Sequence, residues 1–242
     1  MCVRFRLAAL AFLLAGSVSG PATAVPALEM RFDVEVRGLR AGVLALHNIR
    51  EGGQYAASAR LESTGVAALL RRIRFDAGVQ GRVEGERLRP IRYREDVDTG
   101  RRESRTEIEY VRGVPRVVLS EPERSPEPWH LDPATQGGTL DPLSVMLSVL
   151  ADVAPEAACR LDLAVFDGRR RTQIVLSEPV VEGQRVVCTG EVRRIAGYSE
   201  DDLAEARAFP FRLSYAPAGN GMLQVVEIEA RSQHGRARLT RR

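Results

Sequence analysis

Residues 28–37 read LEMRFDVEVR. Leu28, Met30, Phe32, Val34 and Val36 alternate with Glu29, Arg31, Asp33, Glu35 and Arg37 without exception. A helix would wrap this pattern around all its faces, whereas a strand sends successive side chains to opposite sides and sorts it onto two. The segment is expected to be a strand with one dry face and one charged face, as antiparallel sheets allow.

The same pattern recurs outward from there. In residues 72–83, Ile73, Phe75, Ala77, Val79 and Val83 alternate with Arg72, Arg74, Asp76, Gln80 and Arg82. Further on, Ile91, Tyr93 and Val97 alternate with Arg92, Arg94, Asp96 and Asp98. The turns between such segments suit hairpins. Asp167-Gly168 and Asn220-Gly221 are the strongest, because a type I′ turn needs positive φ at both central residues. Gly52-Gly53, Gly85, Thr99-Gly100, Gly113 and Gly183 are weaker signals of the same kind. About a dozen strands are expected, and a sheet that large curls or closes.

One stretch breaks the period. Residues 138–150, GTLDPLSVMLSVL, are apolar on nearly every side of a helix. Asp141 can cap free backbone N–H groups, and Pro142 suits the first helical position. Leu143, Val145, Met146, Leu147, Val149 and Leu150 follow, interrupted only by Ser144 and Ser148. A helix apolar almost all round must be covered. The predicted architecture is all-β, with one or two short helices: a large antiparallel curled sheet or open barrel enclosing an apolar helix. Residues 64–71 are a second helical candidate. A third begins at Ser199, where Asp202 completes a capping box. Residues 120–138, with Pro122, Pro126, Pro128 and Pro133, read as a loop leading into the apolar helix.

The N-terminus suggests export. Arg4 and Arg6 precede a short apolar run at residues 7–15, and Ala22-Thr23-Ala24 has the A-x-A form of a cleavage site. The run is too short for a permanent anchor. Cys2 lies ahead of it, where a lipoprotein acylation site cannot be. Residues 1–24 are therefore expected to be a signal peptide and residues 25–242 a single β-rich domain in the periplasm. Without residues 1–24 the formal charge falls from +3 to +1. The basic residues are all arginine and are interleaved with acids, except for a local excess over residues 231–242. Nucleic-acid binding needs a clustered positive field, and no such partner is expected.

After cleavage Cys159 and Cys188 remain, an even pair in an exported chain. A structural disulfide is the expectation; two free thiols or a redox pair are the alternatives, and C-x-x-C spacing is absent.

Catalytic patterns are sparse. His47, His130 and His234 lie far apart, and no zinc-binding spacing occurs. No G-x-S-x-G elbow follows residue 24. The Ser144 hydroxyl is expected to bond a backbone carbonyl. No catalytic residue, metal site or cofactor is assigned. Aromatics make up 5% of the chain, too few for a stacking platform. Trp129-His130 is the polar-aromatic spot in the proline-rich loop.

The order of features resembles the exported bacterial domain-of-unknown-function family 3108. The opening strand is followed by Gly38 and Gly42, and Tyr55 leads to Gly65-Val66. Then come Gly81, Leu88-Arg89-Pro90 and Tyr93, followed by Asp141-Pro142-Leu143-Ser144 and by residues 165–170, VFDGRR. The resemblance implies an envelope protein of antiparallel β architecture and supplies no catalytic residues.

Three functions follow. The first is a periplasmic binding module for an apolar or lipidic envelope ligand, with Phe75, Trp129, Leu143, Met146, Leu147 and Leu150 as candidate contacts. The second is an envelope scaffold with a solid core that meets a protein partner. The third is a hydrolase with its site near Trp129, His130 and Asp132.

Overall fold

The structure, a computed structural model, describes residues 28–65, 68, 72–123, 125–232 and 235–242. The signal-peptide segment, most of the 64–71 helical candidate and His234 lie outside the described residues.

Alternation becomes strands wherever turn chemistry permits. The first seven are β1 (Leu28–Val36), β2 (Leu39–Glu51), β3 (Gln54–Ser63), β4 (Arg74–Glu84), β5 (Arg87–Asp98), β6 (Glu103–Val111) and β7 (Val114–Glu121). After an irregular stretch and helix α1 (Pro142–Val149) come β8 (Leu161–Phe166), β9 (Arg171–Glu182) and β10 (Arg185–Ala196). Helix α2 (Glu200–Glu205) precedes β11 (Ala208–Pro217), β12 (Leu223–Ser232) and β13 (Gly235–Arg241). All thirteen belong to one antiparallel sheet, in the order β7-β6-β5-β4-β3-β2-β1-β13-β12-β11-β10-β9-β8. Two meanders are thus joined where β1 meets β13, with Val34 opposite Leu239.

This order corrects the expectation of an open barrel enclosing an apolar helix. β7 and β8, at the two ends, do not pair, so the sheet keeps two edges and does not close. Nor is α1 enveloped. Two turns long, about 12 Å at 1.5 Å per residue, it wedges between β3, β4 and β5 on one side and β8 on the other. The all-β class and the antiparallel pairing stand.

The wedge dries α1 on most sides. Leu143, Val145, Leu147 and Leu150 are buried with Phe32, Leu46, Tyr93, Ile108 and Phe166 from the strands. Asp141 starts the helix as expected, its Oδ1 accepting from Leu143 N at 3.0 Å and Ser144 N at 2.9 Å. Ser199 and Asp202 form the capping box of α2. The guanidinium of Arg194 donates to the Asp202 and Ala206 carbonyls at its far end.

The wet face carries the charges in cross-strand register. Arg60 Nε and Arg74 Nη1 each lie 2.5 Å from Asp76. Arg74 Nη2 continues to Asp96 at 3.1 Å, and Arg105 Nε meets the same carboxylate at 3.0 Å. Arginines and acids thus satisfy one another across β3 to β6.

Ile91 departs from its expected place. A bulge sets Gly81 opposite Pro90 and Gln80 opposite Arg92, which leaves Ile91 unopposed. Pro90 is buried while Ile91 is 47% exposed. Gly81 also has a packing role, since a Cβ there would collide with the Arg89 carbonyl oxygen and the Tyr55 ring.

The Cys159–Cys188 disulfide is present, tying the chain after α1 to β10.

Candidate functional site

Because β7 and β8 do not pair, the intervening chain spans the seam between them. Gly138 N donates to the Gly113 carbonyl at the β6–β7 turn, 3.0 Å away. Leu140 then makes a short bridge to β8, donating to Ala164 O and accepting from Phe166 N, both at 2.9 Å. At the other end of the seam, Leu131 N donates to Arg169 O at 3.1 Å, and Arg169 Nη2 donates to Ser120 Oγ of β7 at 2.8 Å. Gly168, with φ +101°, brings the β8–β9 turn down onto the Thr106, Val117 and Ile108 side chains.

A cleft of about 610 Å³ opens beside these contacts. Its apolar lining includes Val97, Val117 and Leu131, and its charged lining includes Glu95, Asp167, Arg102, Arg169 and Arg170. Glu95 lies in the apolar phase of β5, between Tyr93 and Val97, so its carboxylate faces the dry side. Thr106 opposes it on β6, and Ser120 opposes Thr106 on β7. A polar row therefore crosses three strands and ends at the Arg169 guanidinium. Burial pushes the Glu95 carboxyl above its usual range, against a hydrogen bond from the Tyr93 hydroxyl to Oε2 at 2.7 Å. The Asp167 carboxylate nearby adds to the rise, and Arg169 opposes it.

Asp167 is held by the backbone, its Oδ1 accepting from Arg169 N at 2.9 Å and Arg170 N at 2.8 Å. His130 also lines the cleft, and its Nδ1 accepts from Glu127 N at 3.1 Å. That bond places a neutral imidazole's proton on Nε2.

A second polar cluster is sealed. Asp141 and Ser144 are both 0% exposed, and the Ser144 hydroxyl donates to Asp141 Oδ2 at 2.5 Å. Since that proton is committed, the Tyr55 hydroxyl, 2.7 Å from Ser144 Oγ, is the donor of the next bond. Burial pushes the Asp141 carboxyl up to about 6, against the hydrogen bonds from Ser144 and Leu143. This network fixes α1 against β3 and offers no opening to a substrate. Ser144 thus bonds a carboxylate and a phenol, where a backbone carbonyl was expected; it is Ser148 that donates to a carbonyl, that of Ser144.

Of the candidate contacts read from the sequence, five share the core and Trp129 lies apart. Leu143, Leu147 and Leu150 are core residues, and Phe75 and Met146 are half-buried against that core. Trp129 is 39% exposed in the loop before α1 and meets His130 edge to face, with ring centroids 6.2 Å apart. Asp132 is turned to cap residues Pro133–Thr135, accepting from Ala134 N. Glu95 and Arg169 escaped the sequence reading. The signal for Glu95 was visible: an acid in the apolar phase of an otherwise alternating strand. Arg169 was marked only as part of the stretch at residues 165–170 that carries the family resemblance, with no role attached.

Among the described residues no group of three His, Cys, Asp or Glu side chains stands close enough to hold a metal ion. No described helix is long and apolar enough to cross a membrane.

The molecule is an all-β protein with an unclosed antiparallel sheet and a mixed-charge cleft at its seam. The chain belongs to the family described as "Protein of unknown function (DUF3108)", whose model matches residues 31–196. No curated protein matches it. Among solved structures it is similar to a crystal structure from Brucella abortus, described as a "Beta-barrel-like Protein of Domain of Unknown Function DUF1849". That likeness has a TM-score of 0.51 at 15% identity and covers 90% of this chain and 96% of that one. At such identity it bears on the fold alone.

Proposed function

We propose that this protein is an exported, non-catalytic component of the cell envelope that binds an amphiphilic ligand in the seam cleft. One observation carries the proposal. Where β7 and β8 do not pair, a half-buried carboxylate, Glu95, and apolar Val97, Val117 and Leu131 line the same opening. Cavities of a few hundred Å³ that pair apolar walls with a few placed polar groups suit small-molecule ligands. The A-x-A segment at residues 22–24 and the family membership support an envelope location. The side chains of α1 are spent on the core, so the apolar ligand expected beside them is assigned to the seam.

The test is native mass spectrometry of the mature protein before and after delipidation, with thermal shifts on adding fatty acids or short-chain phospholipids. A bound amphiphile that raises the melting temperature of wild-type protein, and fails to do so for Val117→Glu, supports the assignment. No shift with any amphiphile would falsify it.

A specific feature favours a second reading, that of an interaction scaffold. β8 covers β9 only as far as Leu176, so Ser177 to Glu182 form a projecting edge in which Val180 is 55% and Val181 74% exposed. Retention of a partner from envelope extracts by wild-type protein, lost on replacing both valines with Thr, would favour it.

A further inference from the structure

We infer that the seam cleft selects a zwitterionic head group, a phosphodiester bearing a primary ammonium. This rests on the proposal that the cleft holds an amphiphile, and it adds what the polar end of that amphiphile must be.

Few of the charges lining the cleft are in direct contact with one another. Among the described residues Arg102, Arg169 and Arg170 make no direct ion pair, although Glu95, Glu121, Glu123 and Asp167 line the same opening; Glu121 reaches Arg105 at 3.7 Å, and Arg169 acts on Glu95 through space. Asp167 is occupied by two backbone N–H groups. Arg169 bonds the neutral Ser120 hydroxyl, and the Arg170 guanidinium lies over the Tyr198 ring, 5.1 Å from its centroid. Elsewhere on the molecule cross-strand neighbours of opposite sign do pair, as Arg60, Arg74 and Arg105 do with Asp76 and Asp96. Glu95 and Arg169 thus act on each other through space without direct contact, and a ligand with one charge of each sign can bridge them.

The side chains also fix the kind of each charge. Guanidinium groups present planar forks of donors that match phosphate oxygens. Glu95 is an acceptor in a partly dry setting, so it rewards a cation that donates N–H bonds over a quaternary ammonium that cannot. Val97, Val117 and Leu131 are placed for the first methylenes of an acyl chain. An anionic lipid satisfies the arginines and leaves Glu95 with the Tyr93 hydroxyl but no cation in contact.

The experiment is titration calorimetry on mature wild-type protein with three dihexanoyl phospholipids below their micelle concentrations, carrying ethanolamine, choline or glycerol head groups. Soluble glycerophosphoethanolamine is the fourth ligand and separates a membrane lipid from a free head group as the source. The ethanolamine lipid is expected to bind at least about tenfold more tightly than the other two. Glu95→Gln should remove that preference while leaving the glycerol lipid unchanged, and Arg169→Gln should weaken both. Circular dichroism melts establish that each variant is folded; should Glu95→Gln not fold, the preference among the lipids on wild-type protein decides alone. Equal binding of the three lipids, or an unchanged preference in folded Glu95→Gln, overturns the inference while leaving amphiphile binding intact. Absence of binding by all four ligands removes the underlying proposal as well.

Discussion

The Tyr93 hydroxyl donates to Glu95 Oε2 across 2.7 Å, from a residue two positions earlier on the same strand and the same dry face. Tyr93 is fully buried, so the bond anchors the carboxylate at the edge of the core rather than in water. Tyr93→Phe removes the donor and leaves the acid without it; hydrogen bonds to charged groups contribute about 1.5–3 kcal/mol, and a loss of that size is expected in urea melts at pH 7. The acid itself works against folding when ionised. Because burial raises its titration range, the folded state holds the proton more tightly than the unfolded chain does. Stability from this group therefore falls as pH rises from about 4.5 upward. Glu95→Gln should flatten that part of the pH profile, and an unchanged slope would place the carboxylate in water.

Asp141 has the same sign and a defined window. Its folded value of about 6 lies above the ordinary 3.8. Its contribution is therefore most favourable below pH 4 and is lost as pH rises to about 6. At ~1.4 kcal/mol per pH unit the total is roughly 2–3 kcal/mol. Asp141→Asn keeps an acceptor for the helix N-terminus and cannot ionise, so its deficit against wild type should shrink between pH 4 and pH 7. Chemical denaturation across that range measures it; a deficit that grows with pH would show that the ionised form is the better-accommodated one.

Leu147 tests the wedge. It is 2% exposed, and Leu147→Ala should cost roughly 2–5 kcal/mol, the range for a buried leucine. Val145→Phe should also destabilise, by about 1–3 kcal/mol, because a packed core lacks room for the ring. If Val145→Phe is as stable as wild type, an apolar space lies beside α1 and the ligand belongs there instead of at the seam.

The disulfide closes a loop between Cys159 and Cys188, 29 residues apart. In the chain-entropy model a closure of that length stabilises by roughly 3–4 kcal/mol. Thiol labelling of unfolded, unreduced mature protein should give no signal. The Cys159→Ala, Cys188→Ala double variant should lose stability of that order against oxidised wild type, and its own stability should not change on adding reductant.

The strands β1, β4 and β5 were legible because they obey one rule, alternation, and the turns at residues 167–168 and 220–221 because Gly168 and Gly221 take positive φ; Asp167 and Asn220 do not, so neither turn is the type I′ expected from the sequence. The helix start at Asp141 and the capping box at Ser199 were legible for the same reason: each is set by a few consecutive residues. What escaped depends on residues far apart. Pairing between β7 and β8 is decided by contacts over more than forty residues, and nothing local in either strand says whether they meet. The bulge that turns Ile91 outward arises from the match between β4 and β5, and the packing of Tyr55 on Gly81 from the match between β3 and β4. Arg37 and Arg112 adopt positive φ in turns that no Asn or Asp announces. The site was least visible, since its parts come from β5, β7 and a turn after β8. Glu95 left a chemical trace, as the acid that interrupts an apolar phase, and residues 165–170 one of family resemblance only.

The pairing of β1 with β13 bears on how the chain assembles. Val34 and Leu239 sit side by side although about 200 residues separate them. A chain delivered N-terminus first presents β1 with one side already joined to β2 and the other bare. That bare side cannot be covered until β13 has followed. Until then the first meander is a finished sheet with an adhesive border, open to capture by other chains. The β1–β13 pairing can form only once β13 is available, and a chaperone that shields β1 in the interval would have a defined moment to let go.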